Sequence, residues 1–235
     1  MLVAAAVCPC PPLLVPDVAT GAAAELDTVR TACLDAVAAL AAAEPGLLVV
    51  VGPAEPESAG HYPSGAIGDF RGFGVDTEVR LGTGEPGGRP LPYPLAVGAW
   101  LLERAGWSSA PVEGLAVDER LAPGACADAG RETARRADRV ALLVMGDGSA
   151  CRTVKAPGYL DDRAAAFDAA AARALDAADT GALAALDPEL AAELKAAGRA
   201  PWQVLAGAAE GTGPTGRLLA DEAPYGVGYL VAAWT

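Results

Sequence analysis

The chain has 235 residues, 52% of them hydrophobic, and a formal net charge of −13 at pH 7. This length and apolar content suit a folded α/β protein with a substantial core and argue against global disorder. The acidity argues against a nucleic-acid partner, because nucleic-acid binding requires a cationic surface that replaces phosphate counterions. No stretch approaches the roughly 18 apolar residues that span a bilayer. The apolar start lacks the basic region of a signal peptide, so we expect a cytoplasmic protein without a membrane partner.

Apolar runs alternate with helical patterns along much of the chain, which is typical of buried parallel strands joined by helices. Strands are predicted at 2–7, 47–51, 112–117, 140–145 and 225–234, and helices at 22–43, 95–105, 125–137, 161–178, 188–197 and 201–209. A short hairpin is predicted around 75–81, where apolar residues alternate with charged ones. No linker or internal repeat is evident. The sequence therefore predicts one domain over 1–235, an open and mostly parallel sheet with helices on both faces.

Most of the candidate reactive groups lie in three short segments that each follow a predicted strand. Loops that follow parallel strands converge at one edge of the sheet, and ligands bind at that edge. We therefore expect these groups to meet in one crevice. They are Cys8 and Cys10 in the first segment, Glu55 in the second, and Asp147 and Cys151 in the third.

The cysteines favour site chemistry or core packing over a disulfide scaffold, because their number is odd in a mid-sized chain. Cys8 and Cys10 are one residue apart, which is not the spacing of zinc knuckles or thioredoxin-like centres. Two prolines follow Cys10 and fix the backbone, so its thiol is a candidate reactive group or a small buried hydrophobe. Cys33 lies on a helical apolar stripe and is predicted to be core.

The segment after the fourth strand, Gly-Asp-Gly-Ser-Ala-Cys, contains small residues that allow close approach of a ligand. The cations Arg152 and Lys155 follow it, and they would favour a thiolate at Cys151 or bind an anionic substrate. The alternative is an ordinary turn in which Asp147 hydrogen-bonds its own backbone.

The sequence has one histidine, which excludes a histidine-rich metal site and any mechanism that needs two imidazoles. His61 lies in a predicted loop and is either an exposed bystander or a proton carrier or metal ligand. Two strings match Gly-x-Gly-x-x-Gly, at 82–87 and 211–216. Neither string follows a strand and opens a helix, so a dinucleotide site is not predicted.

Four short motifs in order resemble the class III extradiol dioxygenase catalytic subunits and the related Memo proteins. They are Cys-Pro-Cys-Pro-Pro-Leu-Leu at 8–14, Val-Val-Val-Gly-Pro at 49–53, Gly-Asp-Gly-Ser at 146–149 and Tyr-Gly-Val-Gly-Tyr at 225–229. The resemblance covers nearly the whole chain and implies an open α/β sheet flanked by helices. It also implies a site in which two histidines and a carboxylate bind Fe(II) and dioxygen cleaves a catechol-type ring.

The family's site residues fall on other residue types in this chain. The resemblance places its first metal histidine at Cys10, its second near Ala54 or Glu55, and its acid/base histidine at Ala150. Its late carboxylate corresponds to Asp221 or Glu222. Because one histidine cannot supply the two-histidine triad, ordinary extradiol cleavage is not expected.

Three functions remain open at this point. The first is a small-molecule enzyme with a remodelled thiol and carboxylate pocket, with Cys10, Asp147, Cys151 and His61 as catalytic candidates. A metal in that pocket would be Zn or Fe(II), held by Cys10, Glu55 and Glu222. Alternatively, Cys10 or Cys151 would act without a metal, as a nucleophile activated by a neighbouring base or cation. The second is a non-catalytic protein that binds a small ligand or a partner, and the third is an Fe(II) dioxygenase with atypical ligands. The resemblance to an oligomeric family also suggests a homodimer.

Overall fold

A computed structural model describes all residues, 1–235. Its nine strands are β1 (Leu2–Cys8), β2 (Leu47–Ala54), β3 (Gly60–Tyr62), β4 (Ile67–Asp69), β5 (Glu78–Arg80), β6 (Val112–Asp118), β7 (Val140–Met145), β8 (Gly216–Glu222) and β9 (Tyr229–Trp234). Its eight α-helices are α1 (Pro16–Ala19), α2 (Asp27–Ala42), α3 (Tyr93–Arg104), α4 (Pro123–Ala134), α5 (Ala164–Asp176), α6 (Thr180–Ala184), α7 (Pro188–Glu193) and α8 (Arg199–Ala208). None of the helices combines the length and the apolar composition needed to cross a bilayer.

Seven strands form the central sheet in the order β3-β6-β2-β7-β1-β9-β8, and β4 and β5 form a separate hairpin. The four central strands β6, β2, β7 and β1 are parallel. Antiparallel strands extend the sheet on both sides, with β3 beside β6 and β9 beside β1. This architecture confirms the predicted α/β class with an open, mostly parallel sheet.

The central strands are buried on both faces because helices cover both sides of the sheet. Every residue of β2 and β7 is buried, which explains why these strands are continuous apolar runs in the sequence. The core on one face includes residues of α2 and α3, and Cys33 is fully buried there, as predicted. The core on the other face includes residues of α5 and α8.

The structure departs from the predicted elements where polar or irregular segments occur. The predicted helix at 22–43 becomes a 3-10 helix over Thr20–Leu26 and then α2. The last strand begins at Tyr229 and not at 225, because Gly226 turns the chain with a φ of 76°. Strands β3, β4 and β8 were not predicted, because β3 and β4 are only three residues long and no residue of β8 is fully buried. The hairpin predicted around 75–81 is displaced, since β5 pairs with β4.

Candidate functional site

The carboxyl ends of the four parallel strands meet at one edge of the sheet, as the sequence predicted. Cys8 at the end of β1 is paired with Met145 at the end of β7, and the Gly146 N–H donates to the Cys8 carbonyl at 2.9 Å. On the other side of β7, Ala54 at the end of β2 is paired with Asp118 at the end of β6. The loops that follow these strands therefore start from neighbouring positions.

Asp147 is the central carboxyl group of this edge. The backbone N–H of Cys10 donates to Asp147 Oδ1 at 2.8 Å, so the first and third predicted segments do meet. Asp147 lies deep in the protein and keeps part of its surface accessible. Its removal from water raises the pKa to about 7, against the lowering effect of the Cys10 N–H, and nearby Glu119 raises it further. A carboxyl group that titrates near neutrality can both donate and accept a proton under ordinary conditions.

The thiol of Cys10 is fully buried and belongs to the apolar core. Burial raises its pKa well above the ordinary value, and the charges of Asp147 and Glu119 raise it further. Cys8 and Cys33 are also fully buried in the same core. Cys10 therefore carries its proton at neutral pH, and its backbone N–H is the group that it contributes to the site.

An open crevice of about 440 Å³ lies at this edge of the sheet, and Asp147 is connected to its wall through Gly198 without being one of its lining residues. Its walls come from the segments after β2 and β6, from the start of α3 and from the connection between α7 and α8. Its charged lining residues are Glu55, Asp118, Glu119, Arg120, Lys195 and Arg199. Gly198, between two lining residues, donates its N–H to the Asp147 carbonyl at 2.8 Å, which connects the crevice wall to the Asp147 backbone.

The charged side chains of the crevice differ in burial and in the number of hydrogen bonds they form. Arg199 is 3% exposed and donates to the Leu121 carbonyl at 2.6 Å and to the Glu119 carbonyl. Lys195 is exposed at the crevice wall. Burial raises the pKa of Glu119, and the nearby carboxylates of Glu55 and Asp118 raise it further by charge repulsion. The crevice therefore offers both positively and negatively charged side chains to a small polar ligand.

Two tyrosines flank the Cys10–Asp147 contact. The negative charges that Cys10 and Asp147 would carry, together with burial, raise the pKa of Tyr93 well above its ordinary range. Burial and then Asp147 do the same for the pKa of Tyr229. Tyr93 lies at the crevice and its ring contacts Phe73 edge to face at 5.8 Å. Both hydroxyl groups keep their protons, so they are hydrogen-bond donors to any group that develops negative charge nearby.

Cys151 lies on the opposite face of the sheet from Cys10, in the other apolar core. Its thiol donates to the Leu194 carbonyl at 3.4 Å, and burial and Asp161 raise its pKa. Arg152, which was expected to favour a thiolate at Cys151, forms an ion pair with the buried Asp168 at 3.0 Å. Cys151 is a protonated, packed thiol in this environment.

His61 and Glu222 lie on the two edge strands of the sheet, and the strand that carries Glu222 is two spacings from β1. His61 is on β3, where Nδ1 is 3.3 Å from a nitrogen of Arg136, and Glu222 ends β8 opposite Tyr229. These strands are the two outermost of the sheet, six strand spacings apart. At about 4.8 Å per spacing, His61 and Glu222 are separated by roughly 29 Å and cannot share one site.

The predicted metal ligands Cys10, Glu55 and Glu222 do not form a metal site, because Glu222 is four strand spacings from the strand that precedes Glu55. No group of three or more His, Cys, Asp or Glu side chains in the structure could hold a metal ion. The structure corrects this ligand set.

Several residues of the site were missed by the sequence reasoning. Asp118 and Glu119 directly follow an apolar strand, so the same strand-end rule could have identified them. Tyr93 follows a proline-rich segment at a helix start, and Arg199 opens a helix, and neither position carries a local signal. The turn after β7 also differs from the ordinary turn that the sequence allowed, because Asp147 bonds the Cys10 backbone and not its own.

The fold and its strand-end crevice define an α/β protein whose candidate site lies at the carboxyl edge of the parallel strands. Among solved structures, the crystal structure of the uncharacterized protein JW3007 from Escherichia coli K12 is similar over 99% of both chains, with a TM-score of 0.62 and 12% sequence identity. At that identity the likeness shows a shared fold only. No protein-family model matches the sequence, and no curated protein matches it significantly.

The thiols give a direct test of the nucleophile hypothesis. Because all five cysteines are buried, we expect none of them to react with Ellman's reagent within minutes in the native protein. All five should react after unfolding in guanidinium chloride. Rapid labelling of one native thiol that disappears in Cys10→Ala or Cys151→Ala would contradict this prediction and restore a nucleophilic cysteine.

Proposed function

We propose that the protein is an enzyme acting on a small molecule bound in the crevice, with Asp147 as the group that transfers a proton. The observation that carries this proposal is the placement of Asp147, a partly exposed residue whose carboxyl group accepts from the Cys10 N–H and whose carbonyl accepts from Gly198 in the crevice wall. The proposal places the chain on an extradiol-dioxygenase-like scaffold with a remodelled thiol and carboxylate pocket. We propose further that it acts in the cytoplasm, as a homodimer, and without a nucleic-acid or membrane partner.

The proposed chemistry is metal-independent because the residues present do not fit the family's iron. The positions that correspond to its ligands hold Cys10, Ala54 or Glu55, and Asp221 or Glu222. A cysteine, an alanine or a glutamate, and an acidic residue of the edge strand β8 are not the two-histidine-one-carboxylate set that binds Fe(II). No step of the mechanism therefore passes through a metal ion.

In the proposed mechanism, Asp147 gives a proton to a substrate atom in its carboxyl form or removes one in its carboxylate form. Its pKa of about 7 populates both forms near neutral pH. Tyr93 donates a hydrogen bond to the substrate atom on which negative charge develops, since its hydroxyl stays protonated. Lys195 and Glu55 at the crevice walls contact the polar groups of the substrate and orient it.

The alternative proposal is a protein that binds a ligand in the same crevice without turnover. The protonated state of Cys10 and Cys151 favours it, because neither thiol is prepared for nucleophilic chemistry. The two proposals differ in what Asp147 does. In an enzyme its proton moves during turnover, whereas in a binding protein its loss changes affinity only.

The test is a thermal-shift screen of a metabolite library at pH 7, followed by mass spectrometry of each hit incubated with the protein. We expect at least one hit to be converted, and we expect Asp147→Asn to lower its turnover by about 100-fold or more. Asp161→Asn is the matched control, because Asp161 is paired with Arg163 outside the crevice. Binding without conversion would support the ligand-binding alternative. Oxygen uptake with a catechol panel after Fe(II) loading would instead support an atypical dioxygenase.

A further inference from the structure

The first four residues of the turn after β7, Gly146–Ser149, form hydrogen bonds with four separate parts of the chain. The Gly146 N–H donates to the end of β1, and the Asp147 carbonyl accepts from the start of α8. The Gly148 N–H donates to the Gly228 carbonyl at 2.7 Å, just before β9. The Ser149 N–H donates to Asp168 Oδ1 on α5 at 2.7 Å. Each residue from 146 to 149 therefore forms at least one hydrogen bond with a part of the chain outside the turn.

The Asp168 carboxylate is the only side chain among these four attachments, and it is almost completely buried, at 1% exposure. Besides the Ser149 N–H it accepts from Ser149 Oγ at 3.0 Å and from the Arg152 guanidinium at 3.0 Å. A buried carboxylate with three donors, one of them charged, fixes those donors strongly. Asp168 therefore connects both sides of the turn that carries Asp147.

Two glycines make room for this carboxylate. A Cβ atom at Gly148 would lie 2.8 Å from Asp168 Oδ1, and one at Gly228 would lie 2.6 Å from Oδ2. The Gly228 N–H also donates to the Ser149 carbonyl at 2.9 Å. The backbone of the turn thus closes around Asp168, and a displaced carboxylate would release both the turn and the chain entering β9.

We propose that Asp168 is a positioning residue for Asp147, holding the β7 turn so that the Asp147 carboxyl group stays on the Cys10 N–H beside the crevice. This inference rests on the proposed function of Asp147. Asp168 forms no hydrogen bond with a residue that lines the crevice, so its effect passes through the backbone from Ser149 to Asp147. Preorganisation of this kind is how a supporting residue keeps a reactive group in one geometry.

The test measures hydrogen exchange of the Cys10 amide, because that amide proton is bound by Asp147. In Asp168→Asn, one acceptor is lost and Arg152 loses its counterion, so the turn opens more often. We expect protection of the Cys10 amide to fall by about tenfold or more. Protection of the Leu142 amide, in the centre of β7, should change less than about twofold, because the strand pairing is untouched.

Two further variants make the test decisive. Ser149→Ala removes only the hydroxyl bond to Asp168 and should lower Cys10 protection by a smaller factor, about threefold. Asp161→Asn makes the same chemical change in an exposed ion pair and should leave both amides as in the parent protein. If Asp168→Asn does not fold, the test is made with Ser149→Ala alone.

The inference would be overturned by unchanged Cys10 protection in the variants that fold. A fall in Cys10 protection matched by an equal fall for Leu142 would also overturn it, because Asp168 would then only stabilise the whole protein. These measurements need no substrate. A failure of the proposed function, seen as unchanged turnover in Asp147→Asn, is therefore distinguishable from a failure of the positioning role.

Discussion

Asp147→Asn is expected to be more stable than the parent protein, and the gain should increase with pH. Asp147 has an ordinary pKa of 3.8 when unfolded and about 7 when folded. The folded state therefore binds the proton more tightly, so the contribution of Asp147 is fully present below about pH 4 and is lost as the pH rises to 7. At about 1.4 kcal/mol per pKa unit, the buried carboxylate costs about 4 kcal/mol above pH 7. Asparagine removes this cost and retains an oxygen that accepts from the Cys10 N–H.

Urea unfolding of both proteins at pH 5.5 and pH 8.5 measures this difference. The variant should gain about 2 kcal/mol at pH 5.5 and about 4 kcal/mol at pH 8.5. Asp161→Asn is the control and should gain nothing at pH 8.5, because Asp161 is an ionised carboxylate whose pKa is lowered to about 2 by Arg163. An equal effect of Asp147→Asn at the two pH values would mean that Asp147 has an ordinary pKa in the folded protein.

This prediction and the turnover test together distinguish a reactive group from a structural one. A residue that only supports the fold should lower stability when it is removed. If Asp147→Asn raises stability and abolishes turnover, the carboxyl group is retained at a cost to folding, as is common for residues at active sites. Asp168 should show the opposite behaviour, because its buried charge is matched by three donors.

The sequence predicted the centre of the fold well because buried parallel strands are continuous apolar runs. The predicted strand at 140–145 coincides with β7, and the run at 47–51 lies within β2. The rule that strand-end loops converge also placed Cys10 and Asp147 together, and they are hydrogen-bonded. These successes share one cause, since a strand buried on both faces leaves a local pattern and its direction fixes the edge at which it ends.

The positions of Glu222 and Cys151 depend on strand order and on the face that a side chain takes, and neither can be read from a local sequence pattern. Glu222 ends an exposed edge strand that has no apolar pattern, and nothing near it in the sequence says that it lies at the far side of the sheet. Cys151 is four residues beyond Asp147 and faces the other core. Asp168 lies within an alanine-rich helix, whose pattern indicates helix but not the buried carboxylate beneath the turn.

The second large effect is expected where α4 packs on α8, the helix that begins at one wall of the crevice. Helices α4 and α8 cross with their backbones in contact. A Cβ at Gly130 would lie 2.0 Å from the Val204 carbonyl oxygen, and one at Gly207 would lie 2.2 Å from that of Ala127. Gly130→Ala must therefore push the helices apart. We expect it to destabilise the protein by about 3 kcal/mol, although alanine is the better helix former by about 1 kcal/mol.

Gly124→Ala is the matched control for this variant, because Gly124 lies in the same helix and a Cβ atom added there would meet no atom within 4 Å. It should be neutral or should stabilise the protein by up to about 1 kcal/mol, since only helix propensity changes. In thermal unfolding, the midpoint of Gly130→Ala should be about 6–12 °C below that of the parent protein. Equal midpoints for the two variants would show that α4 and α8 separate freely. Because α8 begins at Arg199 in the crevice wall, the wall would then be mobile and not a fixed surface for a substrate.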